Sequence, residues 1–275
     1  MKYLNKLAKY KVFSRNDFAT MINNDNLAKM LLQSYLEKGY IKRIKHNLYS
    51  VVSLETNECI ADKFIIASNI TDTSFVSHHS AFEFYGYYNQ IYHEVNISSI
   101  SKFNTFEFEG NTFSLIKASS TNFVEEIRGV KVTSIERTIV DSIKDSGKYC
   151  ELEETLNCIN MIPYISIKDI LKYLEQIDSK MLYKKVGIVL SLFKDKLNIP
   201  DYFFDKCHEV SDTIKGHFDK NKNAHVYNSE WKIFIYKDLR NYINKEWFYV
   251  QLQKTRNNIL SKRKWIYKWN FRKSS

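Results

Sequence analysis

Asn26, Lys29, Gln33 and Glu37 are spaced three, four and four residues apart, which places them on one side of a helix. Asn and Gln amides each offer a donor beside an acceptor, the pairing that matches base edges, and a Lys ammonium reaches phosphates. Four residues of a second kind follow soon after: Lys42, Arg43, Lys45 and His46. The charge of Lys42, Arg43 and Lys45 would neutralise backbone phosphates and set orientation, with little sequence information of its own. The chemistry seven of these eight positions could perform, all but Glu37, is recognition of double-stranded DNA, with Asn26, Lys29 and Gln33 at or near base edges and Lys42, Arg43, Lys45 and His46 on the flanking backbone.

Other reactive residues are less well arranged. Glu107 with Glu109 and Glu136 with Asp141 are carboxylate pairs of the kind a nuclease uses to hold magnesium. Alternation, however, puts Glu107 and Glu109 on the outward face of a strand, where solvated charge is the default. His78 and His79 stand between Ser77 and Ser80, but adjacent histidines cannot both orient one serine as a triad does. Capping a short helix or bonding within the core accounts for them better. Cys207, His208, His217 and His225 lack a zinc spacing. The four cysteines (Cys59, Cys150, Cys158 and Cys207) are expected as free thiols in a reducing compartment. No glycine loop to cradle phosphate is present. The expectation is a non-enzyme with no catalytic residue, no cofactor and no metal.

The recognition residues need elements to hold them. Ser14 can cap a helix containing Asp17, Phe18, Met21 and Ile22, with Asp17 favoured at the positive end. Asn23–Asn26 is a turn cluster rich in N-cap residues. A second helix is expected from about Asn26 to Lys38, stopping at Gly39, with Ala28, Leu31, Leu32 and Tyr35 on its buried side. Tyr40, Ile41, Ile44, Leu48, Val51 and Val52 then supply two strands around a tight turn at Lys45-His46-Asn47, where Asn47 can take positive φ. A helix-turn-helix with a basic hairpin is a winged helix, a module whose second helix fits the DNA major groove while the wing holds adjacent backbone.

Beyond it, a helix is expected over Cys59–Asn69, a strand end at Phe75-Val76 and a short helix from Ser80 stopped by Gly86. Strands follow at Asn96–Ser99 and across Thr105–Leu115, the latter folded back at Gly110-Asn111. Another strand, Gly129–Thr133, leads to Ser134 as the cap of a helix over Ile135–Lys144, in which Arg137 and Asp141 can pair. Past Cys150 the pattern reads as helical nearly to the end, broken at Pro163, Pro200 and 219–223. The fold class is α+β: a winged helix-turn-helix over 1–53, a mixed α/β domain over 54–195 and a mostly helical, basic region over 196–275.

The charge is uneven. Residues 1–53 hold ten Lys/Arg against three Asp/Glu, and residues 254–275 hold eight against none, so the stretch between is net acidic although the whole chain is +10. Polyanion binding at the ends is the natural reading. The run 262–273 mixes cations with aromatics, as nucleic-acid and membrane-surface binders do; a packed final helix fits it equally. Seven glycines and two prolines in 275 residues argue against a loop-rich sandwich. No stretch is apolar and long enough to span a bilayer, and the basic N-terminus lacks a secretory apolar run, so a cytoplasmic protein is expected.

Three stretches in series carry a family resemblance: Gly39-Tyr40-Ile41-Lys42-Arg43-Ile44-Lys45-His46-Asn47-Leu48-Tyr49, Ser77-His78-His79-Ser80-Ala81-Phe82-Glu83-Phe84-Tyr85-Gly86, and Val132-Thr133-Ser134-Ile135-Glu136-Arg137-Thr138-Ile139-Val140-Asp141. Over roughly residues 1–195 the chain resembles the AbiEi-type antitoxins of type IV toxin–antitoxin systems, which are tied to abortive phage infection. Asn47 stands where that family has a glycine in the wing turn. The resemblance implies an antitoxin that binds inverted repeats at its own promoter and represses transcription. It further implies a functional partner resembling a nucleotidyltransferase toxin, countered without a stable complex. Two other classes suit the same residues: a DNA-targeted nuclease, and a winged helix that binds a protein.

Overall fold

The computed structural model describes residues 3–219, 226–237 and 239. The described residues form two compact units, one made of residues up to Ser142 together with Lys168–Tyr173, the other of the remainder.

The first unit begins with α1 (Leu4–Tyr10), β1 (Val12–Phe13), α2 (Arg15–Ile22), α3 (Asp25–Glu37), β2 (Ile41–Lys45) and β3 (Leu48–Val51). The strands form an antiparallel sheet in the order β1-β3-β2. This arrangement is a winged-helix unit, and local chemistry sets its boundaries. Ser14 Oγ accepts from the Asp17 amide at 3.1 Å while Asp17 Oδ2 accepts from the Ser14 amide at 2.7 Å, a closed capping box on α2. Asn23 ends α2 at φ 57°, and Asn24 Oδ1 accepts from the Leu27 amide at 2.9 Å to start α3. Gly39 follows the end of α3 at φ 70°, a conformation that costs glycine little. Leu7, Phe13, Phe18, Ala28, Leu32, Tyr35 and Ile41 make the core of this module.

The wing's other face is not exposed. Val12, Ile44 and Leu48 belong to a second apolar cluster that runs on into Ile65, Ile66, Val95 and Ile97 of the domain that follows. That domain holds α4 (Lys63–Ser68), β4 (Phe75–Val76), α5 (His78–Tyr85), β5 (Glu94–Ser99), β6 (Phe106–Phe108), β7 (Asn111–Lys117), β8 (Val124–Ile127), β9 (Val130–Thr133) and α6 (Ile135–Lys144). Its mixed six-stranded sheet has the order β6-β7-β5-β4-β9-β8.

Three details differ from the sequence expectation. The helix over Cys59–Asn69 begins only at Lys63, because Asp62 Oδ1 caps the Phe64 and Ile65 amides at 2.9 Å; Cys59 instead bridges Val52. The β6–β7 turn is centred on Glu109-Gly110, at φ 45° and 73°, one residue earlier than Gly110-Asn111. Glu109 therefore leaves the strand face it was expected to share with Glu107. Finally β8 was not anticipated. It folds onto β9 through Arg128-Gly129, also two successive positive φ values (53° and 79°), the geometry of a tight two-residue hairpin.

The second unit contains α7 (Leu152–Met161), α9 (Lys180–Ser191), α10 (Asp201–Ser211) and the two ends of α8 (Ile167–Ile177), whose middle, Lys168–Tyr173, belongs to the first unit. The helical expectation then gives way to three short strands, β10 (Gly216–His217), β11 (Val226–Asn228) and β12 (Ile233–Ile235), ordered β10-β12-β11. The reason is visible in cross-strand pairing: His217 and Tyr227 both stand opposite Phe234, with ring centroids at 4.6 and 5.2 Å. The break at 219–223 falls largely outside the described residues, as do His225 and the basic aromatic run 262–273. Among the described residues no helix is long and apolar enough to cross a membrane.

Candidate nucleic-acid interface

The exposed face of α3 carries Asn26, Lys29 and Gln33, all open to solvent. Gln33 Nε2 donates to Glu37 Oε1 at 2.7 Å, one turn on, so its amide is oriented along the helix. One apolar residue shares this face, which sequence reasoning passed over: Met30 is 70% exposed, and Leu27, 37% exposed, lies at the edge. The signal was present in the spacing, since Met30 follows Asn26 by four and precedes Gln33 by three.

Two contacts tie the parts of the module together through Arg15. Arg15 Nη2 lies 3.4 Å from Asp25 Oδ1, linking the starts of α2 and α3. The Arg15 amide donates to Asn47 Oδ1 at 3.1 Å, which ties the wing turn to the first turn of α2. Asn47 adopts φ 60°, the left-handed conformation the turn requires.

The wing's basic residues divide into two groups. Arg43 and His46 are exposed. Arg43 Nε lies 3.4 Å from the Lys45 carbonyl across a bulge between the two residues. Lys42 and Lys45 instead reach the central domain. Lys42 Nζ sits 2.6 Å from Glu109 Oε1 and 3.2 Å from the Asn57 carbonyl, and the Glu109 hydrogen bond raises its pKa. Lys45 Nζ donates to the Ile70 carbonyl at 3.2 Å and lies 5.5 Å from the centre of the Phe103 ring; burial lowers its pKa. A cleft of about 910 Å³ opens beside this junction, lined by Ser14, Asp17, His46 and Asn47 on one side and by Asp72, Lys102 and Asn104 on the other.

The other candidate groups have the following surroundings. Glu107 is exposed on β6, and Glu109 pairs with Lys42 from the turn. Asp141 is 3% exposed, accepting from Arg137 Nε at 3.1 Å and from Tyr173 Oη at 3.0 Å. Arg137 also donates to the Ser120 carbonyl at 3.2 Å and to that of Asn122, and its guanidinium lies 4.7 Å from the centre of the Phe75 ring. The Arg137–Asp141 pair expected from spacing thus forms a fully bonded buried ion pair. His78 Nδ1 lies 3.0 Å from Ser77 Oγ, which in turn meets Ser98 Oγ at 2.8 Å; His79 packs edge-on against Tyr92 at 4.2 Å. His208 stacks on Trp231 at 3.9 Å and His217 on Phe234. The thiols form no disulfide, and burial pushes those of Cys150 and Cys207 up to about 12.

No protein-family model and no curated sequence matches the chain. Among solved structures it is similar to the RV2827C protein of Mycobacterium tuberculosis, with a TM-score of 0.55 and 10% identity over 84% of this chain and 88% of that one. At that identity the likeness is one of fold. The N-terminal module is winged-helix-like.

Proposed function

We propose that this chain is a sequence-specific DNA-binding repressor that acts on its own promoter and serves as the antitoxin of a type IV toxin–antitoxin system. The observation that carries the DNA-binding part is the capped, solvent-facing side of α3. It presents Asn26, Lys29 and Gln33 to solvent, and in the same module the wing leaves Arg43 and His46 exposed. The excess of cations in residues 1–53 supports a polyanionic partner. Lys42 and Lys45 have a different role in this reading: they anchor the wing, and the phosphate contacts fall to Arg43, His46 and Lys29.

The antitoxin part is supported by the resemblance in the stretches Gly39–Tyr49, Ser77–Gly86 and Val132–Asp141. Its partner would be a nucleotidyltransferase-like toxin, opposed without a stable complex. The test has two arms. Fluorescence anisotropy compares the DNA just upstream of the gene with a scrambled duplex of equal length at several salt concentrations. Sequence-dependent binding that weakens with salt supports the repressor, and indifference to sequence removes it. Co-expression with the product of the neighbouring gene tests the antitoxin. Growth restored by this chain supports that role, and unrelieved toxicity, or a neighbour that is not toxic, removes it.

A further inference from the structure

Met30 is the most exposed large apolar side chain of α3, and the packing of the helix does not use it. Ala28, Leu32 and Tyr35 already fill the buried side. A single exposed hydrophobe is ordinary on a protein surface. This one, however, stands at the centre of a polar helix face, with Asn26 one turn before, Gln33 one turn after and Leu27 beside it. That face is the one a winged helix lays against base edges. In the major groove the thymine methyl is the apolar group that distinguishes one base pair from another, and apolar side chains are its natural contact. Amides on either side suit the adenine edge, which offers a donor and an acceptor together. The strong excess of cations over acids in residues 1–53 favours a polyanion over an apolar protein surface as the occupant.

We infer that α3 reads thymine methyl groups through Met30, with Leu27 as the neighbouring apolar contact, so that the preferred site is defined by A·T pairs under this helix. The inference rests on the DNA-binding reading above and adds to it the kind of base that is recognised.

The test begins with the full chain selecting its own sites from a random duplex pool. The selected duplex is then remade with deoxyuridine in place of thymidine, one position at a time, which removes the 5-methyl group and nothing else. Losing one buried methyl predicts about a four-fold weaker Kd at one or two positions. Met30→Ala should bind thymidine and deoxyuridine duplexes equally at those positions while keeping the wild-type salt dependence. Because Met30 is exposed, the variant should also melt with the wild type, which separates lost recognition from lost fold. If the wild-type chain binds its selected site specifically but treats both bases alike everywhere, or if Met30→Ala keeps the discrimination, the inference fails and DNA binding stands. The inference also fails if sedimentation shows that the wild-type chain self-associates and that Met30→Ala is a monomer, which would make a second copy the occupant of this face. If the pool yields no enriched sequence, the DNA reading itself fails and takes this one with it.

Discussion

Lys42 and Arg43 are consecutive and carry the same charge, yet strand alternation gives them different surroundings. Lys42 meets Glu109, 67 residues further along the chain, whereas Arg43 faces solvent. On the DNA-binding reading, Arg43→Ala should weaken binding and lower the slope of log affinity against log salt by about one. Lys42→Ala should change that slope less and cost under about 1 kcal/mol of stability, since the pair is partly exposed and screened. Equal slopes for the two variants in a salt titration would contradict this division. Asn47 makes a second case. Its left-handed backbone and its bond to the Arg15 amide were half legible in the sequence: the turn was, the bond across the module was not. Asn47→Ala should destabilise the protein by about 1–3 kcal/mol in urea unfolding, combining the left-handed penalty with the lost hydrogen bond. Asn47→Gly should cost less, because glycine keeps the backbone conformation and loses only the side-chain contact. A glycine variant as damaged as the alanine one would mean that the hydrogen bond, and not φ, sets the cost.

Several element ends fixed by neighbouring residues were readable, although the Asp62 cap of α4 and the Arg128-Gly129 turn, equally local, were missed; contacts fixed from a distance were not readable. The capping box at Ser14 and Asp17, the αL residue after α5 at Gly86 and the Ser134 cap of α6 all act within three or four residues. Strands β10, β11 and β12 depend on pairing between segments separated along the chain, so a helical pattern was read there instead. The destinations of Lys42 and Lys45 were hidden for the same reason: Glu109 and the Ile70 carbonyl come from other elements. Helix α9 shows how strict a distant contact can be. A Cβ placed on Gly187 would lie 2.3 and 2.5 Å from two ring atoms of Trp231, which is itself 4% exposed. Alanine is the better helix former by up to about 1 kcal/mol. Even so, Gly187→Ala should destabilise the second unit by about 1–3 kcal/mol, because overpacking against a buried indole outweighs propensity. Chemical denaturation reads the sign: a stabilised variant would show that the indole moves aside freely.

At the scale of the molecule, the winged helix is not a bead on a string. One face of its wing supplies Val12, Ile44 and Leu48 to the apolar cluster that contains Ile65, Val95 and Ile97, and Lys42 and Lys45 bond across the same junction. Exposing a buried aliphatic side chain costs roughly 1.5–3 kcal/mol, so uncovering these three removes about 5–9 kcal/mol. Small domains have only about 5–15 kcal/mol of net stability to lose. A fragment of residues 1–53 should therefore show no cooperative urea transition of its own, although its helices are well capped. In the full chain the wing should unfold together with the six-stranded sheet. On the DNA-binding reading a functional consequence follows from that coupling: a cavity in the sheet, such as Val95→Ala, should lower the temperature at which DNA binding is lost, although Val95 is completely buried and belongs to the sheet rather than the α3 face. Anisotropy measured against temperature, beside circular dichroism of the same variant, decides the matter. Coincident midpoints, both lowered, indicate one cooperative body that carries the interface. A fragment that unfolds sharply alone, or a Val95→Ala chain whose DNA binding outlasts its sheet, would show that the module stands independently of the domain behind it.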